Sequence, residues 1–445
     1  GKTLIVKTRS DLERELGLEY YVTTSPPIRG KIRCRYEDFI VEEVLRDGTV
    51  ITIDSCEKVK IPIRGPGNYI RAILVKRGCD TLSAVYLLSR ACKVPFHAIS
   101  YLGLKDARAL SAQLISIKDC KEPSILLTIK KGKVEIAKYV RSPLPLKRHE
   151  LYGNRFTIII RKIPLPPEEI LSALTELLKQ VHLTGGFPAY FGHQRFGTIK
   201  PISHKVGKAI IMNDIEGAIS HILTNLPEDF TSQKLNATYS ALNYEVLILK
   251  HLMKKRDDLL GAFKKVPIIL QRLFIHAYQS YLFNKMLSAR IRLGLPLNRA
   301  VVGDLVGFPH AGSIHPSCVF LAEKSNIEKV NRLIEKRLLS VVLPVLGYAT
   351  IRLPKHKAAE PVISILEEEG VSADSFSTPH APKLKCPGTY RPLTFYFEDL
   401  KVVQVSPEDE SSCSLKMRFK LRRGFYATVV LREIIKPKNV IECGF

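Results

Sequence analysis

Residues 154–183 read NRFTIIIRKIPLPPEEILSALTELLKQVHL, and the change of period inside that stretch sets the expectation for the whole chain. Its first ten residues are rich in β-branched side chains and end at Pro164, which predicts a strand. After Pro167, apolar residues recur every three to four positions until Gly185 and Gly186, which predicts an amphipathic helix stopped by glycine. Upstream, GKIRCRYEDFIVEEV from Gly30 alternates polar and apolar residues and predicts a strand. YIRAILVKRG from Tyr69 predicts another, and Asp80 or Thr81 can cap a following helix that carries Leu82, Val85 and Leu88 and ends by Pro95. Residues 113–117, 124–129 and 134–140 also read as extended.

Downstream the pattern is helical. The clearest helix runs from about Pro267 to Leu293, with Leu270, Leu273, Phe274, Ala277, Tyr281 and Leu282 on one face. Helices are expected at 331–339 and 359–369, and 372–387 reads as a loop rich in Ser, Pro and Lys. Strands return at 393–397 and 414–421, and YATVVLREII from Tyr426 reads as helix or strand, with propensity favouring strand. The order of these patterns predicts an α+β chain whose two ends build one sheet domain around an insertion. The expected division is 1–185, 186–388 and 389–445.

The 445 residues carry 68 Lys and Arg against 43 Asp and Glu, a formal charge of +25. Such an excess attracts phosphates and releases their counterions, so a polyanion is the expected partner. Nine cysteines without a C-x-x-C pair, and with no histidine at ligand spacing, argue against zinc and fit a reducing, cytoplasmic compartment. The opening GKTLIVKTRSDLERE holds too short an apolar run for a signal segment. VVLPVLGYATI from Val341 is too short and broken to span a bilayer. No protein partner can be inferred from these features.

Two segments place a cation at every second residue: Arg29, Lys31, Arg33 and Arg35, then Lys416, Arg418, Lys420 and Arg422. On strands each row lines one face, with Ile32, Cys34 and Tyr36 or Met417, Phe419 and Leu421 on the other. Unpaired charge is too costly to bury, so each row faces water, carboxylates or phosphates. A solvated edge strand guarded by cations is one reading; two such rows from opposite ends of the chain favour a shared anionic cleft. In YLGLKDARALSAQLISI from Tyr101, Asp106 follows a Gly-x-Lys turn. It reads as an Asx-turn residue or, with Lys105 and Arg108 to keep it ionised, as a carboxylate nucleophile or base.

GLKDARALSAQ resembles the G-x-K-D-x-x-A-x-T-x-Q motif of TruD-type pseudouridine synthases. RCRYEDFIVEE, GNRFTI and GGFPAYFGHQRFG resemble further blocks of that family, and HAYQSYLFN, GTYRPL and GFYATVVLRE continue the resemblance in family order. The resemblance implies a mixed-sheet catalytic domain formed by both chain ends, with an inserted, mainly helical α/β TRUD domain. It implies isomerisation of uridine to pseudouridine in tRNA, at uridine 13 of the D-arm, after base flipping, without metal or cofactor. By matched position, Asp106 would be the nucleophile, Phe156 would stack on the uracil, its other reading being a core aromatic on a buried strand, and Asn154 would order the catalytic loop. Arg33 stands where the family usually has Lys beside the aspartate, and brings a planar fork in its place.

Ser111 replaces the usual Thr, and Ala189 a common Asn. Gln194 and Arg195 either bridge the two domains or touch RNA, and Tyr278, Gln279 and Tyr281 read as packing residues. Arg29, Lys31, Arg35, Lys105, Arg195 and the row Lys416 to Arg422 are the expected RNA contacts. The rival function is a basic RNA-binding protein or chaperone without catalysis. A nucleotide-dependent enzyme is disfavoured because no phosphate-binding loop occurs.

Overall fold

The computed structural model describes residues 6–197, 200–224, 226, 244–310, 312–316 and 318–445. The chain packs as two compact units. One holds residues 26–175, 396–427 and 439–445; the other holds the first 25 residues, 176–395 and 428–438. Both ends of the chain therefore contribute to both units, a more interleaved division than the one drawn from sequence.

The first unit is built on a nine-stranded sheet. In chain order its strands are β1 (Phe39–Leu45), β2 (Tyr69–Arg77), β3 (Ile99–Tyr101), β4 (Leu110–Lys118), β5 (Lys130–Lys131), β6 (Val134–Ser142), β7 (Leu151–Ile163), β8 (Glu398–Pro407) and β9 (Cys413–Arg422). The spatial order is β8-β9-β7-β1-β4-β2-β6-β5, with β3 beside β4. Only β1 and β4 run parallel; every other pair is antiparallel.

β4 is apolar on both sides because it is covered on both. Ile115 and Ile117 join Ile70, Ala72 and Leu74 under the helix Thr81–Cys92, while Ala112 and Leu114 join Ile73, Ile51, Val59 and Ile61 on the opposite face. Fully burying residues of the size of Val85 and Leu88 stabilises the fold by about 1.5–3 kcal/mol each. Asp80 caps that helix, its carboxylate accepting from the Ser83 N–H at 2.8 Å.

Three expected strands are absent. Residues 29–35 form a loop in which Arg29 (φ 60°), Gly30 (φ 97°) and Arg33 (φ 56°) are left-handed. Each such residue resets the side-chain direction, so the two-residue alternation is lost, and only a single bridge from Lys31 to Arg161 is extended pairing. Ile32 is buried, but Cys34 and Tyr36 are exposed, and β1 starts only at Phe39. Residues Pro123–Thr128 are a 3₁₀ helix begun by proline.

The third, favoured as a strand by propensity alone, is Ala427–Ile435, a helix despite its β-branched residues. Val429, Val430, Leu431, Ile434 and Ile435 are buried, and so are Arg432 and Glu433. Packing on every side outweighs a local propensity of tenths of a kcal/mol per residue.

The second unit is organised by the 25-residue helix Ile268–Arg292, whose later turns are buried all round, Gln279, Ser280, Asn284, Ser288 and Arg290 included. Tyr278 and Gln279 are packing residues, as expected: the Tyr278 hydroxyl donates to Glu369 at 2.9 Å and Gln279 donates to the Leu346 carbonyl at 2.8 Å. Helix Ser203–Ile211 lies so close that a Cβ on Gly207 would stand 2.0 Å from the Phe274 carbonyl oxygen. A four-stranded antiparallel sheet, Val319–Leu321, Leu305–Gly307, Ser340–Val345 and Thr389–Pro392 in spatial order, accompanies the helices. The helix expected at 331–339 lies at Ile327–Glu335. Among the described residues no helix is long and apolar enough to cross a membrane.

Candidate active site

The turn between β3 and β4 carries Leu104, Lys105 and Asp106, and side chains from three neighbouring elements fix its backbone. The Lys105 N–H donates to the Thr81 hydroxyl at 2.9 Å, and that hydroxyl donates to Gln113 at 3.0 Å. Gln113 in turn donates to the Gly103 carbonyl at 3.0 Å, and the Lys76 ammonium donates to the Lys105 carbonyl at 3.2 Å. Lys105 is itself buried and pairs with Glu43 at 3.0 Å. Glu43 also accepts from the Leu114 N–H at 2.7 Å, so its charge is shared between a lysine and the sheet. Burial, reinforced by the like charge of Lys105, lowers the Lys76 pKa to about 8.

Asp106 emerges from this frame with its side chain 10% exposed. Oδ1 accepts from the Arg108 N–H at 3.1 Å, the Asx-turn bond, and Oδ2 lies 2.8 Å from Arg33 Nη2 and 3.9 Å from Arg108 Nε. One oxygen thus closes the Asx turn and the other faces the two arginines. The Arg33 side chain is only 3% exposed; it stacks 4.3 Å over the Phe39 ring and donates to the Gly444 carbonyl at 2.9 Å. Burial lowers its pKa to about 10, opposed by Asp106 and aided by Arg108, which leaves it a cation at neutral pH. Arg108 donates to the Phe445 backbone oxygen at 3.0 Å. Gly444 is left-handed (φ +90°), and a Cβ there would stand 2.0 Å from the Ile32 carbonyl, so both arginines are anchored at a point that only glycine fits.

Phe156 sits on the same face of the sheet, 8% exposed, edge-on to Phe39 at 6.2 Å and tilted against Phe419 at 5.8 Å. Asn154 is on that face too, paired with Glu43 across the ladder. Its Oδ1 is buried and has no donor among the described residues, so the loop is held by Lys76, Thr81, Gln113 and Glu43 rather than by Asn154. Glu43 and Phe39 belong to the sequence block DFIVEE, and Gln113 closes GLKDARALSAQ; their roles were carried by those motifs but not assigned from them. Lys76, Gly444 and Phe445 had no sequence signal.

The cationic residues do not gather in one place. Arg29, Lys31 and Arg35 are exposed in the loop that leads to Arg33, whereas Lys105 is interior. On β9, Arg418 is opposite Thr157, Lys420 opposite Arg155 and Arg422 opposite Gly153, while Phe419 is opposite Phe156. Directly paired residues share a side of the sheet and neighbours along a strand alternate, so Lys416, Arg418, Lys420 and Arg422 face away from Phe156 and Phe39. The row on β9 therefore lies on the sheet face opposite the one that bears Phe156 and Phe39, while Lys31, bridged to Arg161, is on the row's side. In the other unit, Arg195 donates to Ser280 at 3.0 Å and lies 5.6 Å over Phe191, and Gln194 accepts from Thr428 at 3.0 Å. Among the described residues no group of three or more His, Cys, Asp or Glu could hold a metal ion.

The arrangement presents one carboxylate, partly open to solvent, with a fixed cation behind it and an aromatic cluster on the same sheet face. That set suits a reaction needing a charged oxygen as nucleophile or base beside a planar group.

A family model described as tRNA pseudouridine synthase D (TruD) matches residues 15–434. A relative from Methanococcoides burtonii bearing the name tRNA pseudouridine synthase D is 32% identical, with 96% of this chain and 97% of the relative covered. One from Pyrobaculum islandicum is 33% identical over 97% of this chain and 98% of its own. A crystal structure of the Methanosarcina mazei protein of the same name superposes with a TM-score of 0.70 at 31% identity, covering 96% of this chain and 98% of that one.

Proposed function

The chain belongs to the TruD family of tRNA pseudouridine synthases, and from that membership we propose that Asp106 is the group that attacks the target nucleotide, at uridine 13 in the D-arm of a cytoplasmic tRNA. The observation that carries this reading is the 2.8 Å pair between a fully enclosed Arg33 and a partly open Asp106. The buried guanidinium fixes one oxygen of the carboxylate while the side chain stays partly open, and a positioned, accessible carboxylate is what the chemistry requires.

In the isomerisation the bond from C1′ to N1 breaks, the detached uracil turns, and a bond from C1′ to C5 forms. The C5 proton leaves and N1 gains one, so no redox partner or energy source is needed. Asp106 acts by adding to C1′ or by removing a ribose proton; either role asks for the same charged oxygen. Phe156 is the stacking surface for the extruded base, reached through the ring of Phe39 on which Arg33 rests. Asn154 Oδ1 is a buried acceptor on that face without a donor among the described residues, and in this reading it takes an N–H of the turned ring. Arg29, Lys31 and Arg35 flank Arg33 in the same loop and hold the phosphates next to the target.

The test is tritium release from tRNA whose uridines are labelled at C5. Wild-type protein releases tritium; Asp106→Ala and Asp106→Asn do not, while keeping the wild-type circular dichroism. Activity retained in both variants removes Asp106 from the mechanism. Replacing uridine 13 by cytidine in the substrate checks the site, since release then stops.

A further inference from the structure

The row Lys416, Arg418, Lys420 and Arg422 lies on the sheet face turned away from Asp106, and its surroundings give it a job of its own. Cations on strands commonly guard an exposed edge, but β9 is not an edge: β7 pairs along one side and β8 along the other. The true edge strand, β8, carries a single cation, Lys401, and it stands directly opposite Arg418. Edge protection would put the charges on β8; they are on β9.

Among the described residues, ion pairing does not consume Lys416, Arg418 or the neighbouring Lys401 either. Lys420 is 3.3 Å from Asp399, whose side chain is 72% exposed, and Arg422 lies 5.7 Å over the Tyr152 ring. Arg418 donates only to the Thr157 hydroxyl, at 3.0 Å, and among the described residues neither it, Lys416 nor Lys401 has a carboxylate within ion-pair distance. Successive members on β9 are about 7 Å apart along the strand. Lys401 widens the row into a patch whose long side chains reach solvent over an apolar floor that includes Ile159.

We infer that this face is a second RNA-docking surface, which holds the phosphate backbone of the tRNA body at a distance from the target uridine. The argument is charge complementarity: several cations without carboxylate partners, on a surface that is not an edge, in a protein whose substrate is a folded polyanion. It rests on tRNA as the substrate and adds a contact region outside the site proposed above. The geometry also separates it from that site, because no side chain of the row lies on the side of the sheet that bears Phe39 and Phe156.

The triple substitution Lys401→Gln, Lys416→Gln, Arg418→Gln in the full chain tests it, with affinity for unmodified full-length tRNA measured across a salt series. The dissociation constant at 0.15 M monovalent salt should rise at least tenfold. The slope of log affinity against log salt should become shallower by about two to three, roughly one unit per lost phosphate contact. A stem-loop containing only the target region should bind wild type and variant within twofold of each other. Arg418→Lys, which keeps the charge, should behave as wild type, and the thermal midpoint of the triple variant should match it.

Unchanged affinity and slope on full-length tRNA would overturn the inference, and so would an equal loss on the stem-loop, which would assign the face to the target region itself. If tRNA binding is untouched while only the wild type retains polyglutamate, the face serves an acidic protein and the inference is wrong. Tritium release by wild-type protein on the same tRNA reports separately on the catalytic reading.

Discussion

Each compact unit contains a buried arginine–carboxylate pair, and the two are built to opposite ends. Glu13 is wholly buried and saturated. Oε2 meets Arg432 Nε and His193 Nε2, each at 2.8 Å, and Oε1 takes the Thr8 hydroxyl at 2.5 Å and Arg432 Nη2 at 3.3 Å. Arg432 is filled as well, by the Tyr20 and Leu18 carbonyls and by the Tyr21 ring 4.4 Å from its guanidinium. Asp106 has one backbone donor on one oxygen and one guanidinium on the other, and a tenth of its side chain meets solvent. A saturated carboxylate has no lone pair to offer; one with fewer donors and part of its side chain open to solvent has. The Glu13 cluster ties the helix Asp11–Glu15 to the helix Ala427–Ile435, whereas the Asp106 pair leaves its carboxylate partly open.

The sharpest way to break that contrast is to neutralise each carboxylate in turn. Asp106→Asn should lower the isomerisation rate by at least about 10⁴, close to 5 kcal/mol of transition-state stabilisation, with little change in the urea midpoint. Glu13→Ala should show the reverse pattern. It leaves buried Arg432 with only Glu433, 3.8 Å away, as counter-charge, a loss of about 3 kcal/mol in unfolding free energy, while the rate per folded molecule at low temperature stays near wild type. If both substitutions moved stability alone, or both moved the rate alone, the distinction between the two pairs would fall.

Acid sharpens it further. Burial alone would raise the Glu13 pKa, but the Arg432 charge and the His193 hydrogen bond outweigh it and bring the group from its ordinary 4.5 down to about 2. A carboxyl whose folded pKa is depressed stabilises the fold fully above its unfolded pKa and loses that contribution as pH falls through the folded value. The window is therefore pH 4.5 to 2, and the contribution at stake is about 3 kcal/mol. Urea midpoints at pH 6 and pH 2.5 should show the gap between wild type and Glu13→Gln narrowing at the lower pH. A gap that stays constant would mean that the Glu13 charge is not what holds the cluster.

What could be read from the sequence follows the range of the forces involved. The long strand Leu151–Ile163, the helix Thr81–Cys92 with its Asp80 cap and the helix Ile268–Arg292 are set by periodicity and capping, which act within a few residues. The loop at 29–35 was misread as a strand because its left-handed turns are imposed from outside, where Arg33 reaches Asp106 and Gly444, far along the chain. The helix Ala427–Ile435 was left open between helix and strand for the same reason: its β-branched residues favour a strand locally, and burial on all sides decides for the helix. Within the site, Asp106, Arg33 and Phe156 carried motif signals. Lys76 and Gly444 did not, because their contribution is a backbone contact that leaves no mark on composition. Nor could strand pairing be read, and pairing alone separates the Lys416 row from the catalytic face.

The smallest expected effect concerns Arg33, where the TruD family usually has lysine. The guanidinium does three things at once: Nη2 faces Asp106, Nη1 holds the Gly444 carbonyl, and the plane lies on Phe39. Only the first is a matter of charge, and a lysine ammonium on a flexible stem can supply it; the second and third need the flat fork. Arg33→Lys should therefore keep most of the rate, with a fall of less than about tenfold, or 1.4 kcal/mol, and should loosen the Gly444 contact enough to raise amide exchange around Ile32, whose N–H donates to the Cys443 carbonyl at 2.9 Å. Arg33→Met keeps comparable bulk but removes the charge, and should cost at least tenfold more than Arg33→Lys. Equal losses in the two would mean that Arg33 acts through its shape and its hold on Gly444. In that case the counter-charge facing Asp106 would be Arg108, 3.9 Å from the same oxygen, and the pair compared with Glu13–Arg432 would have to be redrawn around that residue.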